Sequence, residues 1–181
     1  MHRLVYLGNA ALRQVSTSVK DVHDMRSIVS AMTTIVGEHQ GLGLAGPQIG
    51  VNKRLFLMVK DLPEDEETPL TYEPIFNPRI VSSSKEMTRD FEGCLSFPGY
   101  QGVVGRSSDI EVLYTNADGK ETHRELSGLH ARVFQHELDH LDGVMFLDKC
   151  NVNSLIHNDE FTQMDFLQLQ LLLLNEDDDD A

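Results

Sequence analysis

Apolar residues recur with helical spacing near the N-terminus, and a glycine-rich segment follows them. In residues 25–36 the apolar positions fall at i, i+3, i+4 and i+7, as in a helix with one buried face. We expect Asp24 to cap this helix and Gly37 to end it. Residues 41–50 then contain four glycines and one proline, which disfavour regular structure and let a ligand approach the backbone closely. The sequence predicts an irregular loop with a functional role there.

Strand patterns occupy the middle of the chain. Residues 55–59 and 75–81 have the composition of strands, and an acidic loop with two prolines separates them. Residues 110–115 and 121–126 flank an Asp-Gly pair, which is a strong signal for a hairpin turn. Strands and helices do not alternate regularly, so the pattern favours antiparallel pairing.

A second helical pattern follows the hairpin and carries histidines on its inward-facing row. We expect Ser127 to cap this helix, which should run to about Leu141 with Gly143 at its end. The fold class predicted from these elements is α+β, with antiparallel β-sheets packed around this central helix. One face of the helix carries Leu129, Val133, His136 and His140.

The C-terminal part supports two interpretations. Residues 161–174 carry apolar positions that suit a helix, whereas residues 167–171 alternate as a strand would. We favour the helix. Because no internal repeat or domain boundary is evident, we expect a single domain over residues 1–181. Its expected parts are a body over about 5–148, a C-terminal extension over 149–175 and an acidic tail over 176–181.

The net charge of −14 is concentrated in two places. Ten of the 29 acids lie in residues 61–67 and 176–180, and the rest of the chain holds 15 basic and 19 acidic residues, a balance of −4. Runs of like charge are usually solvated chain. No basic stripe indicates direct nucleic-acid binding.

Neither a membrane span nor a secretion signal is evident. The longest apolar runs fall far below the roughly 20 residues that cross a bilayer, and the first residues lack a signal-peptide core. We therefore expect a cytoplasmic protein. Its two cysteines, Cys94 and Cys150, are too few for a disulfide framework. Reduced thiols are the expectation, although a single bridge between them is the alternative.

Residues 136–140 read His-Glu-Leu-Asp-His, which is a His-Glu-x-x-His pattern on the second helix. Residues four apart share a helical face, so the imidazoles of His136 and His140 can bind one cation while Glu137 points beside it. That arrangement suits metal-assisted hydrolysis. The plain alternative is a helix with surface histidines and a solvated glutamate.

Two histidines do not complete a catalytic metal site, which normally has three protein ligands and one open position. The third ligand would be Cys94, Cys150, an acid or another histidine. Cys94 stands out because Gly93 beside it lets the backbone pack closely against an ion. A cysteine taken alone is more often a small buried apolar residue, so the pattern leaves the choice open.

Three segments together resemble the motifs of the peptide deformylase family. They are Gly-Leu-Gly-Leu-Ala-Gly-Pro-Gln at 41–48, Glu-Gly-Cys-Leu-Ser at 92–96 and Gln-His-Glu-Leu-Asp-His-Leu at 135–141, in the family's order. The likeness covers about residues 5–148. It implies an enzyme that removes the N-formyl group from the N-terminal methionine of newly synthesised proteins and releases formate.

The resemblance implies a ligand set and a proton carrier. Cys94, His136 and His140 would hold the metal, and Glu137 would act as general base and acid while metal-activated water attacks the formyl carbon. On ligand type alone, Zn, Fe(II), Co or Ni would fit. The resemblance implies one divalent metal per chain, Fe(II) in cells, with Zn or Ni often replacing it in purified protein.

The resemblance also implies how substrate is held. The Gln48 side chain and the Leu95 N–H would donate to the oxyanion, and the backbone at Gly43 and Gly93 would meet an extended peptide. The implied partners are N-formylmethionyl peptides of nascent chains, with a transient ribosome contact. We expect further substrate contacts from two apolar residues on the helical face of the ligands, Leu129 and Val133.

The chain departs from the family pattern in three places. Gly46 stands where the family usually has alanine, which would loosen the loop before Gln48. Gln101 stands where some bacterial members have an arginine that contacts the substrate's carboxylate end, while Arg106 nearby is retained. The acidic tail is also atypical, because the family's bacterial members approach the ribosome through a C-terminal segment, and ribosomal RNA repels carboxylates.

Two rival functions remain from the sequence. One is a His-Glu-x-x-His metallopeptidase that cleaves internal peptide bonds. The other is a non-catalytic relative that binds formylated peptides or uses zinc only structurally. Gln48 and Cys94 in their motifs argue against the first, and the presence of both Glu137 and Gln48 argues against the second.

Overall fold

The computed structural model describes residues 2–62, 65 and 68–174. Its strands are β1 (Gly43–Ala45), β2 (Leu55–Val59), β3 (Tyr72–Ser83), β4 (Met87–Cys94), β5 (Phe97–Ser107), β6 (Asp109–Thr115), β7 (Glu121–Ser127) and β8 (Ile156–His157). Its α-helices are α1 (Arg26–Glu38), α2 (Gly128–Leu141), α3 (Asn158–Phe161) and α4 (Phe166–Leu174). Short 3₁₀ helices span Ala10–Arg13, Val22–Met25, Gly46–Ile49, Phe146–Asp148 and Val152–Ser154.

The strands form two antiparallel sheets. The larger has the order β1-β2-β3-β6-β7 and the smaller the order β4-β5-β8. Helix α2 contacts β1, β2, β6 and β7 of the larger sheet and β5 of the smaller one. The α+β class and the antiparallel sheets expected from the sequence are confirmed, and α2 lies where the two sheets meet.

β2 explains why a continuous apolar run occurs in an antiparallel sheet. All five of its residues are buried, because alternate side chains enter two different cores. Phe56 and Met58 pack in the core that includes Phe134 of α2, whereas Leu57 packs with Met32 of α1. The Phe56 and Phe134 rings meet edge to face with centroids 5.1 Å apart. Both faces of this strand are thus covered by helices.

The predicted hairpin and the start of the second helix are confirmed. β6 and β7 pair in continuous register from Asp109 opposite Ser127 to Thr115 opposite Glu121. Ser127 is the N-cap residue of α2, although its side chain makes no capping hydrogen bond. The helix ends at Leu141, as its apolar pattern predicts.

The prediction for the ends of the first helix is wrong by a few residues. The segment before it, Val22–Met25, forms a 3₁₀ helix whose N-cap is Asp21, so α1 begins at Arg26 and Asp24 does not cap it. The helix continues one residue past Gly37. The aspartate that caps is Asp21, and it caps the 3₁₀ helix, whereas the N-cap residue of α1 is Met25.

The prediction of an irregular loop over residues 41–50 is also wrong in part. The segment contains β1, which pairs with β2, and the 3₁₀ helix Gly46–Ile49, all four residues of which are buried. Gly50 ends this helix with a φ of 75°, a left-handed conformation that favours glycine.

The smaller sheet was not predicted from the sequence patterns. β4 and β5 pair closely and join through the two-residue turn at Leu95 and Ser96, with a register shift between Gly93 and Cys94. Glycines and charged residues interrupt the apolar alternation of both strands. Neither strand could therefore be predicted from its own sequence pattern without its pairing partner.

The helix favoured over a strand for residues 161–174 is confirmed in part, since it forms as α4 and begins only at Phe166. α3 ends at Phe161, whose ring meets Phe91 of β4 edge to face at 5.0 Å. α4 then has no buried residue. The acidic tail over 176–181 lies outside the described residues, and within the described ranges no helix is long and apolar enough to cross a membrane.

Candidate active site

Helix α2 and the end of β4 bring three ligand atoms together. His136 and His140 are one helical turn apart, and Cys94 closes β4 opposite them. The Cys94 sulfur and one nitrogen of each imidazole all lie within 4.8 Å of one another. Cys94 Sγ and His140 Nε2 are 3.3 Å apart. The three ligands predicted from the sequence are therefore neighbours, and Cys94 and Cys150 form no disulfide.

This cluster fits a divalent cation. Tetrahedral zinc bonds of about 2.0–2.3 Å would put neighbouring ligand atoms roughly 3.3–3.8 Å apart, which the Cys94–His140 distance matches. Burial lowers the pKa of His140 well below its ordinary value, which favours the neutral imidazole that binds metals. One thiol and two imidazoles are a donor set for Zn, Fe(II), Co or Ni.

A buried carboxylate holds the first histidine in place. Glu92 Oε2 lies 2.9 Å from His136 Nδ1, which leaves the other ring nitrogen for a cation. Two guanidinium groups, those of Arg106 and Arg132, donate to the same carboxylate at 2.8–2.9 Å. Burial by itself would raise the pKa of Glu92, but the hydrogen bonds from Arg106 and His136 outweigh it and hold the pKa far below its usual range.

The support extends across the helix to Asp139. Arg106 donates to Asp139 Oδ2 at 2.5 Å, and Lys149 donates to Asp139 Oδ1 at 2.8 Å. Sequence reasoning gave no role to Glu92, Arg132 or Asp139. The available signals were the place of Glu92 in the cysteine motif and the position of Arg132 one helical turn before His136.

Glu137 lies in very different surroundings. It is buried, and within the described part of the chain its Oε2 has no hydrogen-bond partner. Burial raises its pKa to about 7, so it can take and give a proton near neutral pH. A Cβ on Gly43 would stand 2.5 Å from Glu137 Oε1. Glycine at position 43 therefore provides the space that the carboxylate occupies.

The Gln48 amide is oriented by the loop that carries it. The Ala45 N–H donates to Gln48 Oε1 at 2.7 Å, which turns the NH₂ group towards the ligands. Gln48 Nε2 lies 3.5 Å from Cys94 Sγ. Leu95, the other predicted donor, follows Cys94 in the turn between β4 and β5.

A pocket of about 410 Å³ opens onto these groups. Leu129 stands at its wall and is 39% exposed, whereas Val133 one turn further along α2 is buried. Of the predicted site residues, only His140 does not line the pocket. The pocket is lined by Gly43, Gln48, Gly93, Cys94, Leu95, Leu129, Val133, His136 and Glu137, together with Gln101 and Asn158.

The structure shows the surroundings of Gly46, which departs from the family pattern, and of Arg106, which keeps it. A Cβ at Gly46 would lie 2.8 Å from the Val51 carbonyl oxygen and 3.0 Å from that of Lys53, so backbone atoms fill the space that a methyl group would take. Arg106 is 3% exposed and bound to Glu92 and Asp139. It is a structural partner of the ligand helix and does not line the pocket.

Comparison with known proteins agrees with this geometry. The family model for polypeptide deformylase matches residues 1–155. Peptide deformylase 2 of a Nostoc species is 36% identical over 171 residues, covering 89% of this chain and 93% of its own. The peptide deformylase of Rhizobium meliloti is 42% identical over 146 residues, covering 80% of this chain and 82% of its own.

Solved structures show the same fold. The crystal structure of peptide deformylase from Thermotoga maritima gives a TM-score of 0.76 at 34% identity, covering 83% of this chain and 98% of that one. The Synechococcus elongatus enzyme, solved in complex with actinonin, gives 0.75 at 32% identity, covering 95% and 84%. This chain belongs to the polypeptide deformylase family of enzymes.

Proposed function

We propose that this protein hydrolyses the N-formyl amide of the N-terminal methionine of newly synthesised proteins, releasing formate and a free amino group. The observation that carries the proposal is the meeting, in one pocket, of a Cys-His-His cluster, a buried carboxylate at Glu137 and an oriented amide at Gln48. These are the parts that amide hydrolysis requires.

A formamide resists hydrolysis because its carbonyl is stabilised by resonance and an amine anion is a poor leaving group. A divalent cation bound by Cys94, His136 and His140 would act as a Lewis acid and bring the pKa of water from 15.7 towards about 7. We propose Fe(II) as that cation in cells, with Zn, Ni or Co in purified protein.

Glu137 carries the proton in this proposal. Its carboxylate takes the proton that the attacking water loses and delivers it to the departing nitrogen, which then leaves as a neutral amine. A pKa of about 7 suits both transfers, because the group is neither too weak a base nor too weak an acid. Its unpaired Oε2 is available for the task.

Two donors stabilise the oxygen that becomes negative. The Gln48 NH₂ group is held towards the ligand cluster by the Ala45 contact, and the Leu95 N–H belongs to the adjoining turn. Each well-placed donor of this kind contributes about 3–4 kcal/mol to an acyl-transfer transition state. Because the loop and turn fix both donors beforehand, little reorganisation accompanies the reaction.

The peptide would lie along the backbone of β1 and β4. Gly43 and Gly93 expose main-chain groups to the pocket, and Leu129 and Val133 offer it apolar surface. The proposed partners are N-formylmethionyl nascent chains in the cytoplasm, met during a transient contact with the ribosome. We propose one catalytic domain for the whole chain, with residues 149–175 as an extension of the body.

The test compares N-formylmethionyl with N-acetylmethionyl peptides of the same sequence. The two donors and the attacking water leave room for hydrogen on the carbonyl carbon, but a methyl group would displace it, and about 1 Å of misplacement costs about 100-fold. We expect formate release with kcat/KM at least about 100-fold above acetate release. Uncatalysed hydrolysis of each peptide is the reference.

The same assay separates the rivals. If kcat/KM for the formyl and acetyl peptides differs by less than tenfold after correction for uncatalysed hydrolysis, the tight pocket is rejected in favour of a broader amidohydrolase. Cleavage of internal peptide bonds without formate release would indicate a metallopeptidase, and binding without turnover a non-catalytic relative.

A further inference from the structure

The C-terminal extension completes one wall of the pocket. β8 pairs with β5, with Tyr100 opposite His157 and Gln101 opposite Ile156. Asn158 follows directly and lines the pocket. Ile156, His157 and Asn158 lie just beyond the 1–155 segment that the family model matches.

The wall presents a pair of neutral amides. Gln101 Nε2 donates to Asn158 Oδ1 at 3.3 Å. Among the described residues, neither the Asn158 NH₂ group nor Gln101 Oε1 makes a further hydrogen bond. The pair thus keeps an NH₂ group as donor and a carbonyl oxygen as acceptor, and it would do so with both amides flipped. A peptide group can use both, whereas a carboxylate, which only accepts, would leave the amide oxygen unpaired and facing like charge.

Gln101 stands close to the reacting end of the pocket. It is opposite Gly93 in the β4–β5 ladder, and its Cγ lies 3.7 Å from where a Cβ on Gly93 would stand. Gly93 immediately precedes the ligand Cys94. A peptide running along this strand therefore passes the amide pair within its first few residues.

The charges around the pair disfavour a terminal carboxylate. Among the described residues that line the pocket, Arg132 is the one guanidinium and there is no lysine. Arg132 is already bound to Glu92 and to backbone oxygens of Val104 and Thr88. The two residues that follow Asn158 are exposed acids, Asp159 and Glu160.

We propose that Gln101 and Asn158 form a specificity determinant that favours a continuing, uncharged peptide chain over a free carboxylate end. The inference rests on the proposed deformylation and names the form of substrate that the same site prefers. It would direct the enzyme to growing polypeptides and away from short formylated fragments with a nearby C-terminal carboxylate.

The experiment measures kcat/KM for formyl-Met-Ala and formyl-Met-Ala-Ser, each as the free acid and as the C-terminal amide. We expect the full-length enzyme to prefer the amide by about two- to fivefold, the range typical of exposed charge interactions. The preference should appear as a lower KM for the amide, with kcat unchanged. It should become smaller at high ionic strength, because salt screens exposed charges.

Substitutions at the two amides test the direction of the preference. N158D replaces the donor by a second acceptor and should increase the amide preference, whereas Q101R adds a cation and should reverse it. N153D is the matched control, because Asn153 is exposed in the same segment and outside the pocket, and it should behave as wild type.

Three outcomes would overturn the proposal. Equal kcat/KM for acid and amide at both lengths would do so, as would the same ratio in N158D and N153D. Both results would leave deformylation intact, since formate is still released. Absence of formate from every peptide would instead remove the proposed function, and this specificity with it.

Discussion

His136 and Glu137 are neighbours in sequence, but their side chains lie in opposite kinds of surroundings. The His136 ring rests on Glu92, which two arginines also hold, so every charge on that side has a close partner. Glu137 is equally buried, yet its Oε2 has no partner within the described residues. We call the surroundings of His136, formed by Glu92, Arg106 and Arg132, the support side of helix α2. We call the surroundings of Glu137 its reacting side.

The different surroundings of His136 and Glu137 explain how one helix can be both stable and reactive. Buried ion pairs with several hydrogen bonds fix geometry, and removing one member leaves an uncompensated charge. A buried group without a partner costs free energy but stays available for chemistry. Support-side substitutions should therefore act on stability and metal binding, and reacting-side substitutions on turnover.

The largest effect is expected at Glu137. E137Q keeps the shape of the side chain but cannot accept the water proton, so kcat/KM on a formyl peptide should fall about 10²–10⁴-fold. Metal content should stay at the wild-type level, and the urea midpoint should not fall, because an amide costs less to bury than a carboxylate. Activity within tenfold of wild type would contradict the proton role.

Cys94 lies between the two sides and should determine metal binding. C94A removes the one sulfur ligand, so the protein should purify metal-poor, as measured by elemental analysis after anaerobic preparation. C150A is the matched control and should retain metal. Wild-type metal content in C94A would exclude Cys94 from the ligand set.

On the support side, E92Q should act chiefly on stability. It leaves the buried guanidinium groups of Arg106 and Arg132 without their carboxylate, and breaking such a pair costs about 3–5 kcal/mol of unfolding free energy. Metal affinity should also fall about 10–100-fold, because His136 loses its anchor.

Urea titration and competition with a metal chelator measure these two effects. The matched control is E121Q, on an exposed residue of β7, which should change stability by less than about 0.5 kcal/mol. If E92Q unfolds at the same urea concentration as E121Q, the Glu92 network does not support the helix.

The smallest effect concerns the wall that carries Gln48. G46A would place a methyl group 2.8 Å from the Val51 carbonyl oxygen, an overpacking that costs about 1–3 kcal/mol. G37A is the control and should stabilise the protein. Its Cβ would meet nothing within 4 Å in α1, and alanine is a better helix former than glycine. A G46A protein as stable as wild type would show that this backbone yields easily.

Short-range patterns predicted the elements that local physics decides. The spacing of His136 and His140 put both imidazoles on one helical face, and the Asp-Gly pair at residues 118–119 fixed the β6–β7 hairpin. The apolar run of β2 was also recognisable, because two covering helices demand it. Each of these signals lies within about ten residues of sequence.

Contacts between distant segments could not be read from such patterns. Glu92 and His136 are 44 residues apart, and a carboxylate in a glycine-rich segment carries no mark of the imidazole it will meet. The same holds for β4 and β5, whose interrupted alternation becomes a strand pair only against each other. The surroundings of Gly46 are another such case, because the carbonyls that fill the space beside it come from residues 51 and 53.

The sequence by itself thus determined the class of fold, the helix that bears the motif and the chemical types gathered in it, because periodicity and motif composition are local properties. Only the tertiary structure decided that Glu137 Oε2 has no hydrogen-bond partner among the described residues while His136 is held by Glu92. It also decided that Asn158 from the extension reaches the pocket. Burial and pairing of polar groups depend on which distant segments pack together, and that is fixed when the two sheets close on the helix.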